Sequence, residues 1–356
     1  MKNYFKISVL IIGTTFLFFF ISSCGNSKGN KNTEQKDTVG VNSRTNNKTE
    51  NNCDPKEIKE NFFEIKKLEI TGDLSIKKVL QKLFPGTLCY EEPTANDTSF
   101  YITWTCPACP KKISNYIEGE KVPFPYDDIN ETRSTNNDIL FINDAGHETA
   151  IVPFSTCQSM GGRLQPGILG LAYFYKTPSG WSLKYFDPAI NYGGQFGVAP
   201  FPKDYLKLNN NDWGCYTDDL FSPGAPAGGY VPIFSSVDVY GPVNDKLTNM
   251  LNVQNTSCVN IGDNDPSCSG WSSFFIVDEN SNSFFNDLIL VTSGKINLNN
   301  WKDELNNKEQ SYPLKDFIYL LKNNTSAKNT FGFVMQRRYS FQKNSYSLTS
   351  TNIQTY

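Results

Sequence analysis

The spacing of apolar and polar positions divides the chain into three stretches. Residues 7–21 form an almost unbroken apolar run, whereas residues 25–52 contain only two large apolar side chains. Beyond that point apolar positions recur with regular spacing. Because the polar stretch buries too little surface to offset its conformational entropy, the pattern predicts a leader over 1–23, a disordered tether over 24–52 and a single folded body over 53–356.

The first part of the body has helical spacing. Asp54 and Pro55 suit the N-cap and the first position of a helix, and apolar side chains then recur over residues 58–68. A second amphipathic run over 76–83 ends at a Phe-Pro-Gly sequence. These two runs predict a helical hairpin over residues 53–89.

After residue 98 the spacing changes to short runs rich in β-branched and aromatic residues, separated by turn residues. These runs predict strands over 99–105, 138–143, 149–154, 169–176, 181–186, 231–240, 272–278 and 283–292. Two glycine-rich stretches, 191–197 and 222–229, predict loops because strand patterns resume on both sides of each.

The C-terminal part returns briefly to helical spacing, over 301–305 and 314–321. A closing pair of strands follows, 331–341 and 345–351, with a turn at Lys343-Asn344. The predicted fold class is therefore α+β. It consists of a mostly antiparallel β body over 98–356, the N-terminal helical hairpin and a short C-terminal helix before a closing β-hairpin.

Composition narrows the possible functions. The net charge is −3 and no long basic block occurs, so binding to nucleic acid has no electrostatic basis. Aromatic residues make up 14% of the chain, which fits both a β-rich core and a glycan-binding surface.

The N-terminal leader has the layout of a secretory signal. Lys2 and Lys6 precede the apolar run, which is shorter than the roughly 20 residues that a membrane span needs and is interrupted by Gly13, Thr14 and Thr15. We therefore expect the leader to direct export rather than to remain as a membrane-spanning helix.

The leader ends in Ile21-Ser22-Ser23-Cys24, which resembles the lipobox of bacterial lipoproteins. The resemblance implies that Cys24 becomes the N-terminus, carrying a thioether-linked diacylglycerol and an amide-linked fatty acyl chain such as palmitate. It also implies a membrane partner reached through the lipid anchor, at the bacterial cell envelope. Because Gly25-Asn26 follows instead of an Asp, the resemblance favours the outer membrane. The body only loosely resembles secreted bacterial proteins of unknown function, which implies no activity.

Nine cysteines occur, and assigning Cys24 to the lipid leaves an even number in a compartment where disulfides persist. The candidate disulfide cysteines are Cys53, Cys89, Cys106, Cys109, Cys157, Cys215, Cys258 and Cys268. Cys53 with Cys89, which bracket the predicted helical hairpin, and Cys258 with Cys268 are the first candidate pairs.

Cys106-Pro107-Ala108-Cys109 allows two other interpretations. A thioredoxin-like redox site begins with a strand and a Cys-x-x-Cys, and Pro153 could supply the proline that this family places against the two cysteines. Against this interpretation, Pro110 follows the second cysteine and no clear helix comes next. A zinc site would combine these two cysteines with Cys157 and His147. The disulfide frame is favoured over both, so no metal, cofactor or catalytic residue is predicted.

The remaining candidate chemistry is sparse. His147 is the only histidine, and a surface turn is favoured for it over a catalytic role. The acidic stretch 262–265 suggests either a calcium loop or a solvated turn. Carboxylate pairs beside Trp181, Trp213 and Trp271 would suit a glycan hydrolase, but sequence cannot place two acids across a sugar.

The predicted function is therefore a lipid-anchored extracytoplasmic protein whose body is a non-enzymatic binding or envelope-structural module. Its expected partners are the membrane and a glycan or an envelope protein. Two alternatives stay open: a glycan hydrolase that uses paired carboxylates, and a thiol-disulfide oxidoreductase that uses Cys106 and Cys109.

Overall fold

A computed structural model describes most of the body. The described residues are 53–59, 61, 67–90, 99–115, 121–134, 139–144, 146–158, 165–221, 231–259, 272–280, 283–297 and 330–356. They belong to one compact unit, Glu50–Tyr356, and strands predominate in it. The fold is almost entirely β.

The first half of the body contains the one helix of the described part and a large curled sheet. Its elements are β1 (Lys56–Glu57), β2 (Glu69–Thr71), α1 (Ile76–Leu83), β3 (Thr87–Tyr90), β4 (Phe100–Thr105), β5 (Lys112–Asn115), β6 (Lys121–Phe124), β7 (Asn130–Arg133), β8 (Leu140–Asp144), β9 (His147–Gln158), β10 (Gly167–Thr177) and β11 (Gly180–Gly193). Nine strands form the large sheet in the order β1-β4-β7-β9-β10-β11-β2, with β3 beside β4 and β8 beside β9. The β1–β4 pair is parallel and the other pairs are antiparallel, while β5 and β6 form a separate hairpin.

The second half forms two four-stranded antiparallel sheets, each in chain order. The middle sheet contains β12 (Asp204–Lys207), β13 (Trp213–Phe221), β14 (Val231–Val243) and β15 (Lys246–Val259). The outer sheet contains β16 (Ser272–Asp278), β17 (Asp287–Asn297), β18 (Thr330–Gln342) and β19 (Ser345–Thr355).

The large sheet is buried on both faces. Val152 and its same-face neighbours pack with Leu80 of α1, whereas Ile151, on the opposite face, packs in a cluster with Cys215 and Tyr240 of the middle sheet. Because neither face of β9 meets water, β9 reads as a continuous apolar run rather than an alternating one.

The middle sheet is also covered on both sides. Its second face contributes Val239 and Leu251 to a cluster that includes Leu288, Leu290 and Tyr339 of the outer sheet. The layers are therefore stacked in the order helix, large sheet, middle sheet, outer sheet.

Helix α1 confirms one of the predicted helices. The Ser75 hydroxyl accepts a hydrogen bond from the Lys78 amide at 3.4 Å, and the helix ends where the Phe84 amide donates to the Leu80 carbonyl at 2.8 Å. Its eight residues are too few to cross a bilayer, and the described residues include no helix that could.

The predicted α+β class is wrong, because the N-terminal helical hairpin is absent. β1 lies inside the stretch that its first helix was expected to fill, and β2 begins directly after that stretch. β1 pairs with β4, and the Ile58 amide donates to the Thr105 carbonyl at 2.8 Å, so strand pairing with a distant part of the chain overrode the helical spacing. Ile70 of β2 is buried and pairs in the same way with Trp181 of β11. Residues 60 and 62–66 lie outside the described ranges, as does the predicted C-terminal helix.

The strand predictions are largely confirmed, with two corrections. The closing hairpin is present as β18 and β19, and β16 has the predicted bounds. Residues 191–193, predicted as part of a loop, continue β11, and residues 283–286, predicted as the start of a strand, precede β17. The strands of the β body that the sequence did not predict are β5, β6, β7, β12, β13 and β15, and β3 before it was also missed.

Candidate functional site

The Cys-x-x-Cys sequence is a buried disulfide. Cys106 and Cys109 are joined directly after β4, and their exposed fractions are 2% and 5%. Trp104 is fully buried beside them in the same core, where its indole nitrogen donates to the Thr132 hydroxyl at 2.8 Å. The strand β5 follows the disulfide where a thioredoxin-like site would have a helix.

Pro153 is not positioned as the thioredoxin-like interpretation required. It lies inside β9, and the cis peptide bond of the described chain precedes Pro125 instead. The sequence resemblance of this segment to a redox site therefore does not extend to the surrounding structure.

The residues of the hypothetical zinc site are far apart. His147 is exposed at the first position of β9, and Cys157 is buried near its other end. Ten residues of extended strand separate two side chains by about 33 Å, so they cannot share a metal ion. No group of three or more acidic, histidine or cysteine side chains in the described part of the chain is arranged to hold a metal.

The other candidate cysteines fall into two groups. Cys53, Cys89, Cys157 and Cys215 are thiols, and burial raises the pKa of Cys157 to about 11 and that of Cys215 to about 12. Cys258 lies in β15, whereas Cys268 is outside the described residues together with the acidic stretch 262–265.

The tryptophans proposed as glycan platforms are placed differently from one another. Trp181 is buried, with the Lys176 ammonium 4.6 Å from its ring centre. Trp213 is half-buried and packs edge-on against Tyr205, and Trp271 lies outside the described ranges. Neither Trp181 nor Trp213 is a fully exposed platform.

A cleft of about 380 Å³, which we call the tip cleft, opens where turns of the middle and outer sheets meet β11 of the large sheet. Its aromatic walls are Tyr185, Phe284, Phe285 and Phe341. Its polar groups are Asp212, Asn244, Asp245 and Lys343. The volume lies within the range of small-molecule sites, and the mixture of rings with a few polar groups is typical of them.

Two tight hairpin turns provide the polar groups on one side of the tip cleft. Asn244 and Asp245 connect β14 to β15 with φ values of 50° and 62°, the left-handed pair that a two-residue hairpin favours. Lys343, with φ of 61°, begins the turn between β18 and β19. The Asn244 side-chain amide donates to that of Asn344 at 3.5 Å, a long contact that links the two turns.

Asp212 reaches the cleft from the turn between β12 and β13. Asn209 holds this turn, since its side-chain oxygen accepts from the Asp212 amide at 2.8 Å and its side-chain nitrogen donates to the Asp212 carboxylate at 3.0 Å. These hydrogen bonds hold the Asp212 carboxylate in place. No cationic side chain in the described part of the chain forms an ion pair with it.

The two carboxylates act together on Tyr185. Partial burial raises the pKa of its phenol, and the negative charges of Asp212 and Asp245 raise it further. Tyr185 therefore keeps its proton at neutral pH and remains able to donate a hydrogen bond inside the cleft.

Phe284 is the most accessible ring of the site. It is 75% exposed and meets Phe285 edge-on, with ring centres 5.0 Å apart, while Phe285 is itself buried against Phe341. An exposed ring supported by a buried ring presents a firm flat surface to a ligand.

A second cleft of about 550 Å³ lies between β2 and α1. It contains Lys78 and Lys82 together with Glu69, and its described lining residues include no aromatic ring. The Lys78 ammonium donates to the Asp73 carbonyl at 3.0 Å, and solvent-facing lysines of this kind do not form a built site. The tip cleft is the better candidate.

No protein-family model, curated protein or solved structure matches this chain. The sequence pointed to tryptophans and cysteines and missed most of the tip cleft. The turn at Lys343-Asn344 and the strands that contain Tyr185 and Phe341 were predicted, whereas Phe284 and Phe285 were expected inside a strand and instead precede β17. Paired Asn and Asp residues at 244 and 245, between two strands, are the signal that could have identified the second turn.

Proposed function

We propose that this chain is a lipid-anchored protein of the bacterial envelope, with the outer membrane as the favoured location. Its body acts as a non-enzymatic module that binds a glycan in the tip cleft. The observation that carries the binding proposal is the combination of an exposed ring, Phe284, with amide and carboxylate groups in one cleft.

The envelope location is supported by the sequence. Cys24 follows a hydrophobic residue and two small residues at the end of an exported leader, and the polar tether separates it from the body. Two or more acyl chains would hold the protein stably at the membrane surface.

The preference for a glycan follows from the chemistry of the cleft. A sugar ring has apolar faces and hydroxyl edges, so it needs a flat apolar surface beside groups that donate and accept hydrogen bonds. Phe284 offers the surface, while Asn244 and Asp245 offer the donors and acceptors.

Binding of the full-length protein to envelope polysaccharide, measured by calorimetry, tests the proposal. We expect Phe284→Ala to weaken binding about tenfold or more, because burying one phenylalanine side chain contributes about 1.5–3 kcal/mol. Phe274→Ala is the matched control, since Phe274 is also exposed on the outer sheet but does not line the cleft. Equal losses in both variants, or no binding by the wild type, would contradict the proposal.

A glycan hydrolase is the second candidate, because two carboxylates, Asp212 and Asp245, influence the same tyrosine in the cleft. Release of reducing ends from the bound polysaccharide, lost in both Asp212→Asn and Asp245→Asn, would favour it. The oxidoreductase is less favoured, since the buried Cys106–Cys109 disulfide offers little access to an attacking thiolate.

A further inference from the structure

Cys53 and Cys89 meet on one face of the large sheet. Cys89 of β3 is paired with Tyr101 of β4, and its sulfur lies 3.7 Å from the Thr103 hydroxyl on the same face. Thr103 also donates to the Cys53 carbonyl oxygen at 3.1 Å, which brings the beginning of the body over this face. A single threonine therefore contacts both cysteine residues.

Two further contacts hold Cys53 in place. The Thr87 hydroxyl donates to the Asp54 carbonyl oxygen at 2.7 Å, and burial together with the neighbouring Cys53 thiol raises the pKa of both Cys89 and Tyr101. The two cysteines are thus neighbours around Thr103, and a disulfide bond requires their sulfurs to approach to roughly 2.05 Å.

We propose that Cys53 and Cys89 are a disulfide-forming pair that, once oxidised, joins the N-terminal segment covalently to the large sheet. The proposed export brings the protein to an oxidising compartment. The positions of Cys53 and Cys89 beside Thr103 determine that these two cysteines pair. The bond would close a loop that contains β1, β2 and α1. Tension along the tether would then pass into the sheet rather than through the hydrogen bonds of Thr87 and Thr103.

The oxidation proceeds by thiol–disulfide exchange with an external disulfide, such as oxidised glutathione. Cys53 is the entry point because it is partly exposed, whereas Cys89 is fully buried. The Cys53 thiolate attacks one sulfur of the external disulfide, forms a mixed disulfide and releases one thiolate. The Cys89 thiolate then attacks the Cys53 sulfur and releases the second thiolate. The two protons lost by the cysteines convert the released thiolates to thiols, so two cysteines are oxidised and one external disulfide is reduced.

Burial controls the second step. It raises the pKa of Cys89 to about 11, so only a small fraction of this residue is thiolate at neutral pH. The closing rate should therefore rise about tenfold per pH unit between pH 7 and pH 9.

Two other thiols serve as internal controls. Cys157 lies on the same sheet, but three strands away from Cys89 in the order β3-β4-β7-β9, which corresponds to about 14 Å. Cys215 is fully buried in the middle sheet, with the Tyr173 hydroxyl 3.7 Å from its sulfur. Neither is placed to compete for Cys53.

The test uses the full-length protein, equilibrated in a glutathione redox buffer, quenched with acid and alkylated with a maleimide. Digestion without reduction by trypsin and chymotrypsin separates Cys53, Cys89 and Cys106, because Lys56, Tyr90 and Trp104 provide cleavage sites. We expect a linked Cys53–Cys89 peptide in which neither cysteine carries maleimide. Cys157 and Cys215 should both carry the label.

Two cysteine variants, and protein alkylated inside intact cells, serve as controls. Cys89→Ser should leave glutathione on Cys53, whereas Cys157→Ser should keep the link. Maleimide on both Cys53 and Cys89, in protein whose Cys106–Cys109 link is intact, would overturn the pairing. A link formed in buffer but absent from protein alkylated inside intact cells would support the pairing and count against the proposed export.

Discussion

Lys343 holds its backbone in the left-handed region, with φ of 61°, although it carries a full side chain. For an L-residue this conformation costs roughly 1–2 kcal/mol, and asparagine or aspartate tolerates it better than lysine does. Asn244 and Asp245 at the neighbouring turn are of the tolerant type. Lys343 is therefore less well suited to this turn than glycine, and it lines the tip cleft.

We expect Lys343→Gly to stabilise the protein by about 0.5–1 kcal/mol, because glycine adopts the left-handed conformation without steric cost. Denaturant unfolding of the two proteins measures the difference. Asn244→Gly is the control and should change stability less, since asparagine already tolerates its φ of 50°. Equal or lower stability of Lys343→Gly would show that the turn is not strained by its lysine.

At the scale of elements, the strands divide by how many of their faces are covered. β9 and β10 are buried on both sides, because the helix layer covers one face of the large sheet and the middle sheet covers the other. β16 lies at the edge of the outer sheet and alternates exposed and partly buried residues. Alanine substitutions at neighbouring positions should therefore cause similar losses of stability in β9 and different losses in β16.

Alanine substitutions test this difference. We expect Ile151→Ala and Val152→Ala each to destabilise the protein by about 2–4 kcal/mol, since both side chains are fully buried, on opposite faces of β9. Ile276→Ala should cost less than about 1 kcal/mol, because Ile276 is 44% exposed. Unfolding free energies from urea titrations give the comparison. A mild effect at either position of β9 would contradict the two-sided burial.

The strands that sequence missed have no apolar pattern of their own. β15 mixes Asn, Thr and Gln with its apolar residues, and it is defined by a long antiparallel pairing with β14. α1 was predictable because its cap, spacing and stop are all local. Contacts between distant parts of the chain leave no such local signal.

At the scale of the whole molecule, we propose that the body folds independently of the lipid anchor. The described body begins at Cys53, and the tether separates it from the lipidation candidate Cys24. Nothing in the core clusters of the described residues depends on Cys24. Removal of the anchor should therefore change location without changing fold.

We expect Cys24→Ala to lose incorporation of a labelled fatty acid and to leave the membrane fraction, because the lipid attachment sulfur is removed. Circular dichroism of the variant should match that of the wild type. Cys53→Ala is the matched control and should keep its label. A label that persists on Cys24→Ala would contradict the proposed lipoprotein.

The sequence by itself determined the features that depend on neighbouring residues. It predicted α1, most strands of the β body and the closing hairpin, and it led to the proposals of export and lipidation. Capping, turn chemistry and apolar spacing act over a few residues and can be read directly.

The tertiary structure alone decided the fold class and the candidate site. Ile70 became part of a strand because β11 offered it a partner, and the tip cleft exists because turns from two sheets meet Tyr185 of a third. Strand order in the large sheet left Cys157 apart from Cys53 and Cys89, a pair that the sequence had already suggested. These contacts depend on how the layers pack. Packing joins residues that are far apart along the chain, and the local sequence pattern carries no signal for such contacts.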